Sequence, residues 1–190
     1  MKTRITASGY LLFLIAACAG GVLGQEPKPA PPPGMPAGAG VFHQQSSGKW
    51  AKLDPAYVDE SKVRGMNAFL QTEGLTALNM NYEYLGVEAP LQLAEKQPVF
   101  YVRGTGSPAY AQIVELTKKK DRRTARTVST EVSVGNRGGF KRDKIRAATV
   151  TALSDGSYSV RPVNDLKPGE YLLALGSAVI GYDFGITQKQ

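Results

Sequence analysis

Residues 158–171 read Tyr158-Ser-Val-Arg-Pro-Val-Asn-Asp-Leu-Lys-Pro-Gly-Glu-Tyr171, and Leu172-Leu-Ala-Leu175 follows directly. Tyr158, Val160 and Pro162 alternate with Ser159 and Arg161, the period of two expected of a half-buried strand. Asn164, Asp165, Pro168 and Gly169 then crowd into a turn, and Pro168-Gly169 is a strong local breaker. Tyr171 opens a second apolar run. A Gly176-Ser177 break separates it from a last strand over residues 178–186.

The same period extends upstream. Residues 145–153 read as a strand turned by Ser154-Asp155-Gly156 into the Tyr158 strand, and 111–117 with 122–128 as a hairpin tipped by Lys118-Lys-Lys-Asp121. Between them, residues 132–140 contain Gly135-Asn-Arg-Gly-Gly139, a loop suited to presenting backbone amides to an anion. Val99-Phe-Tyr-Val102 is apolar on both faces, which predicts a strand buried between layers, and residues 90–93 give another short strand. Met80, Tyr82 and Tyr84 share one strand face and read as core. Val41-Phe-His43 and Lys49-Trp-Ala-Lys-Leu53 flank a Ser46-Ser47-Gly48 turn, with His43 expected on the strand surface and Trp50 on a core or hairpin face. One helix is expected: Asp54-Pro55 as N-cap and first residue, then Val63, Met66 and Leu70 at helical spacing, interrupted by Gly65.

Leu166-x-Pro168-Gly169-x-Tyr171 resembles the tyrosine corner of immunoglobulin-like and fibronectin-III-like β-sandwiches. In such folds the tyrosine starts a strand and its hydroxyl bonds to backbone just upstream. The resemblance implies an all-β, antiparallel sandwich over residues 98–186, with Leu166, Pro168, Gly169 and Tyr171 in structural roles. Residues 41–95 would then be an additional N-terminal β-rich segment. The order of motifs over residues 40–186 also resembles a pattern found in exported bacterial proteins, and implies no activity.

Residues 1–24 look like an address. Lys2 and Arg4 precede an apolar run over 10–17, and Val22-Leu23-Gly24 supplies the small residues of a cleavage junction. Ile15-Ala16-Ala17-Cys18 also resembles a bacterial lipobox, in which Cys18 would carry the lipid. Cleavage before Gln25 and lipidation at Cys18 remain the two alternatives. Either predicts export to a periplasm, a cell envelope or the medium. Residues 25–40 are Pro-, Ala- and Gly-rich and are expected as a disordered linker.

The 190 residues are 42% apolar and 21% charged, enough for a packed core. With one cysteine and one histidine there is no disulfide framework and no His/Cys metal cluster, and no cofactor is expected. The net charge of +7 is unevenly spread. Residues 118–146 hold eleven basic side chains against Asp121, Glu131 and Asp143, a local excess of eight. The candidate anion- or partner-binding residues are Lys118, Lys119, Lys120, Arg122, Arg123, Arg126, Arg137, Lys141 and Arg142. A solvated hairpin whose lysines guard a sheet edge is the plain alternative. Expected partners are an anionic envelope polymer, a membrane surface or an acidic protein. Nucleic acid is set aside, because no aromatic residue interleaves 118–126 for base stacking. No catalytic constellation stands out, so the expectation is a non-enzymatic structural or interaction module. The competing reading is a small carbohydrate-active hydrolase built on two of the clustered carboxylates, among them Asp54, Asp59, Glu60, Asp155 and Asp165.

Overall fold

The computed structural model describes residues 27–64, 78–130, 137–176 and 180–188. Cys18 and residues 131–136 therefore lie outside the described residues. In chain order the strands are β1 (Gly40–Gln44), β2 (Trp50–Leu53), β3 (Pro55–Tyr57), β4 (Glu60–Arg64), β5 (Leu78–Leu85), β6 (Gln92–Leu93), β7 (Phe100–Arg103) and β8 (Ala111–Lys118). They continue with β9 (Arg122–Thr130), β10 (Arg137–Phe140), β11 (Ile145–Arg146), β12 (Ala148–Ala152), β13 (Tyr158–Pro162), β14 (Gly169–Leu175) and β15 (Ile180–Ile186). Among the described residues there are also two short 3-10 turns, Pro108–Tyr110 and Arg142–Lys144.

One sheet has the order β2-β1-β7-β13-β12, and the other runs β3-β15-β14-β8-β9-β5-β4. Neighbours on both paths are antiparallel, while β6 joins β15 in parallel. The order β1-β7-β13-β12 facing β8-β14-β15 is that of an immunoglobulin-type sandwich. Residues 41–95 are not set apart from it: β1 pairs with β7, β3 with β15, and β5 with β9.

Alternation assigns the faces. Val41, Phe100, Val102, Tyr158 and Val160 meet Ile113, Tyr171, Leu173, Phe184 and Ile186 between the two sheets. The Phe100 and Phe184 rings lie 4.5 Å apart, and Tyr171 stacks on Phe184 at 5.5 Å. The intervening Val114, Leu116, Leu172 and Ala174 point the other way, into a second cluster with Tyr84 and Ala125. β8 and β14 are thus buried on both faces, which is why Leu172-Leu-Ala-Leu175 shows no alternation. Each such side chain contributes about 1.5–3 kcal/mol on burial.

The second cluster exists because the 118–121 hairpin opens. β8 and β9 pair only at Thr117↔Thr124 and Lys118↔Arg123. β11 then takes over the edge of β8 at Val114 and Ile113, while β9 pairs with β5 from Arg122 to Ser129. The β4-β5-β9-β10 part of the sheet folds over the outer face of β8 and β14. The expected strand over 145–153 is likewise split: β11 belongs to one sheet and β12 to the other.

Two expectations are corrected. No helix forms over the described part of residues 54–70. Pro55 instead begins β3, an edge strand whose outer side needs no donor, and β4 pairs with β5. Nor is the Pro-rich stretch loose from residue 27 onward. The Pro29 carbonyl accepts the Ser154 N–H at 2.9 Å, and the Pro36 carbonyl accepts Arg103 Nη1 at 2.6 Å. A Cβ on Gly34 would lie 3.6 Å from the Trp50 indole nitrogen, so this strap crosses beside the Trp50–Tyr101 edge-to-face pair. Prolines offer apolar bulk and carbonyl acceptors without donors to satisfy, and they lose little entropy on docking.

Candidate anion-binding surface

The basic stretch does not present one continuous cationic face. Arg123 is the clearest departure, at 3% exposure. Inward-facing on β9, it donates from Nε to the Gly86 carbonyl at 3.0 Å and from Nη2 to the Leu85 carbonyl at 2.7 Å. Its Nη1 pairs with Asp183 of β15 and stands 3.8 Å from Glu170 of β14. Glu170 also accepts the Ala89 N–H at 2.7 Å and faces Lys118 Nζ at 3.5 Å. One guanidinium thus joins β9 to β14, β15 and the β5–β6 connection. Arg123 leaves the set of candidate binding residues, because a buried charge bonded on every side cannot meet a ligand.

Other members are held at the surface. Lys118 reaches Glu88 at 3.2 Å, and Arg122 pairs with Glu83 and, at 2.8 Å, with Asp121. Lys141 meets Asp143 at 2.9 Å, and its hydrogen bond holds the Asp143 carboxyl below the usual carboxylate range. Lys144 at 2.9 Å and Arg146 both grip Glu115 of β8. Burial would raise the Glu115 carboxyl, but the two donors outweigh it and leave the group lowered.

Lys119, Lys120, Arg126 and Arg142 remain. All four are exposed, and none has an ion-pair partner among the described residues. Lys119 and Lys120 form the hairpin tip. Arg126 lies farther along β9 at an outward position, between the inward Ala125 and Thr127. The Lys141 N–H donates to the Arg126 carbonyl at 2.9 Å, which brings Arg142 alongside. Arg137 is opposite Thr130 on the β9–β10 ladder. These four cations are spread over the hairpin tip, β9 and the turn that follows β10.

Leu166, Pro168, Gly169 and Tyr171 lie at the entry to β14. Tyr171 is 1% exposed, and its hydroxyl donates to the Lys167 carbonyl at 2.8 Å. Burial, then the nearby Glu115 charge, raises its phenol above the ordinary value. Leu166 packs in the inter-sheet core and donates its N–H to the Lys96 carbonyl at 2.8 Å, so the Pro168-Gly169 turn is tied at both ends.

His43 was expected on the surface and is buried instead. Its Nδ1 lies 3.1 Å from the Val99 carbonyl and its Nε2 3.0 Å from Glu95, a partner that sequence separation concealed. The turn carboxylates serve local structure: Asp155 is lowered first by hydrogen bonds from Ser157 and also pairs with Arg103, while Asp165 accepts Gln97 Nε2 at 2.9 Å. Asp54 and Asp183 both line a cavity of about 170 Å³. Asp183 is committed there to Arg123, which leaves no facing pair for an acid and a base. Among the described residues no group of three or more His, Cys, Asp or Glu side chains is arranged to hold a metal. No family model, curated protein or solved structure matches this chain.

Proposed function

We propose that this chain is an exported, non-enzymatic interaction module of a cell envelope, and that it holds an anionic polymer through Lys119, Lys120, Arg126 and Arg142. One observation carries the reading: within a stretch rich in cations, neighbours are neutralised by carboxylates while these four stay exposed, with no ion-pair partner among the described residues. Placed at the hairpin tip, on β9 and in the turn after β10, they attract a polyanion by Coulomb forces, which salt screens over about 8 Å at physiological ionic strength.

Retention on immobilised dextran sulfate tests it. The wild type is expected to elute at a salt concentration well above that of a Lys119→Glu/Lys120→Glu/Arg126→Glu variant, with the circular-dichroism spectrum unchanged. Equal elution would remove the proposal. Export has its own test: a Cys18→Ser variant is processed normally if cleavage precedes Gln25, and accumulates as precursor if Cys18 is the lipidated residue.

A further inference from the structure

The end of the sandwich opposite the basic tip carries a different surface. β8 starts there, β14 stops, β15 starts and β3 ends. Tyr57 is 62% exposed and Ile180 43%, and they are direct cross-strand partners. Tyr110 is 65% exposed and stands at the start of β8, against the end of β14, where a Cβ on Gly176 would lie 3.5 Å from its Cβ. The loop carrying Tyr110 is fixed in place. Gly106, at φ +62°, packs so closely on Leu175 that an added Cβ would lie 2.4 Å from the Leu175 Cβ. The Tyr158 hydroxyl donates to the Thr105 carbonyl of the same loop at 3.3 Å. Tyr57, Tyr110 and Ile180 are thus exposed at one pole, and the loop that carries Tyr110 is packed against the end of β14.

The chain reaches the sandwich at that same pole. Pro29 is bonded to Ser154 in the β12–β13 turn, and Lys28 lines a cavity with Gly104, Thr105 and Tyr158. Upstream lie the apolar run over residues 10–17 and Cys18, only eleven residues before Pro29. At no more than about 3.6 Å per residue, this tether keeps Pro29 within roughly 40 Å of a membrane that holds either the apolar run or an acyl chain on Cys18. Tethering at that range raises the local concentration of the pole at the bilayer without any added contact. Tyrosine suits the headgroup level, where its ring meets acyl chains and its hydroxyl stays hydrated.

We infer that Tyr57, Tyr110 and Ile180 form a membrane-facing surface that seats this end of the sandwich on a lipid bilayer, with the cationic tip pointing away from it. The inference rests on the alternative of the envelope reading in which Cys18 is lipidated and the N-terminal segment stays in the membrane; cleavage before Gln25 would remove it. It does not depend on anion binding by the tip.

The full chain is reconstituted with net-neutral, zwitterionic phosphatidylcholine vesicles whose acyl chains are brominated, which removes attraction to a net negative surface. Tyr57→Trp and Tyr110→Trp variants are compared with Lys120→Trp, and the constant Trp50 signal is subtracted. The two entry-side tryptophans should be quenched several-fold more than the tip tryptophan, in protein that floats with the vesicles. Equal quenching in floating protein would overturn the membrane-facing surface. Failure to float would overturn the anchoring it requires, and neither outcome bears on dextran sulfate retention.

Discussion

β8 and β14 have an apolar layer on each side, and the two layers are built differently. The inter-sheet side is a cluster of buried aliphatic and aromatic residues that includes Phe100, Tyr171 and Phe184. The outer side, under β9 and β5, has a smaller cluster, and Arg123, Asp183 and Glu170 are bonded together beside it. The inner layer is held by area, the outer one by area plus charge. The cation-rich stretch of this chain therefore contains two populations, one paired with carboxylates and one with no ion-pair partner among the described residues, and composition does not separate them.

Removing Arg123 should do the most damage. Arg123→Met leaves Asp183 buried without its cation and Glu170 with Lys118 alone, and is expected to cost about 3–5 kcal/mol in urea unfolding. Loss below about 1 kcal/mol would mean that the outer layer is held by apolar contact alone. Tyr171→Phe tests the inner layer: the Lys167 carbonyl loses its donor, and about 1–3 kcal/mol should follow. Acid sharpens the contrast between the layers. Glu115 is lowered in the fold, so its contribution is present above the ordinary glutamate value and is lost as pH falls through the lowered one. Glu115→Gln should flatten that acid limb of the stability curve, and an unchanged limb would remove the Glu115–Lys144–Arg146 cluster from the account. Lys120→Met should change stability by no more than about 0.5 kcal/mol, since an exposed tip makes no partner.

How much of this was legible follows the same division. The inner layer could be read because period-two alternation and the Pro168-Gly169-x-Tyr171 corner are local signals, and Tyr171 bonds only four residues back. Arg123–Asp183 spans 60 positions and His43–Val99 spans 56, so neither leaves a trace in spacing. Arg122 and Arg123 look alike in sequence, yet strand alternation sends one to the surface and the other into the interior. Over the described residues 54–64 no helix follows Asp54, because Pro55 suits an edge strand as well as a helix start and tertiary pairing with β15 decided between them. The strap was hidden because a Pro-rich composition describes a free chain and says nothing of an aromatic pair waiting for it.

Two variants matched in charge test the division most directly. Lys119→Gln/Lys120→Gln/Arg126→Gln removes three free cations, and Lys141→Gln/Lys144→Gln/Arg146→Gln removes three paired ones, so both lose the same net charge. The salt concentration that elutes each from dextran sulfate is then compared with the wild type. The first variant should elute far earlier, while the second should stay near the wild type. If both shift equally, retention reports net charge alone, and the separation of structural from free cations is wrong.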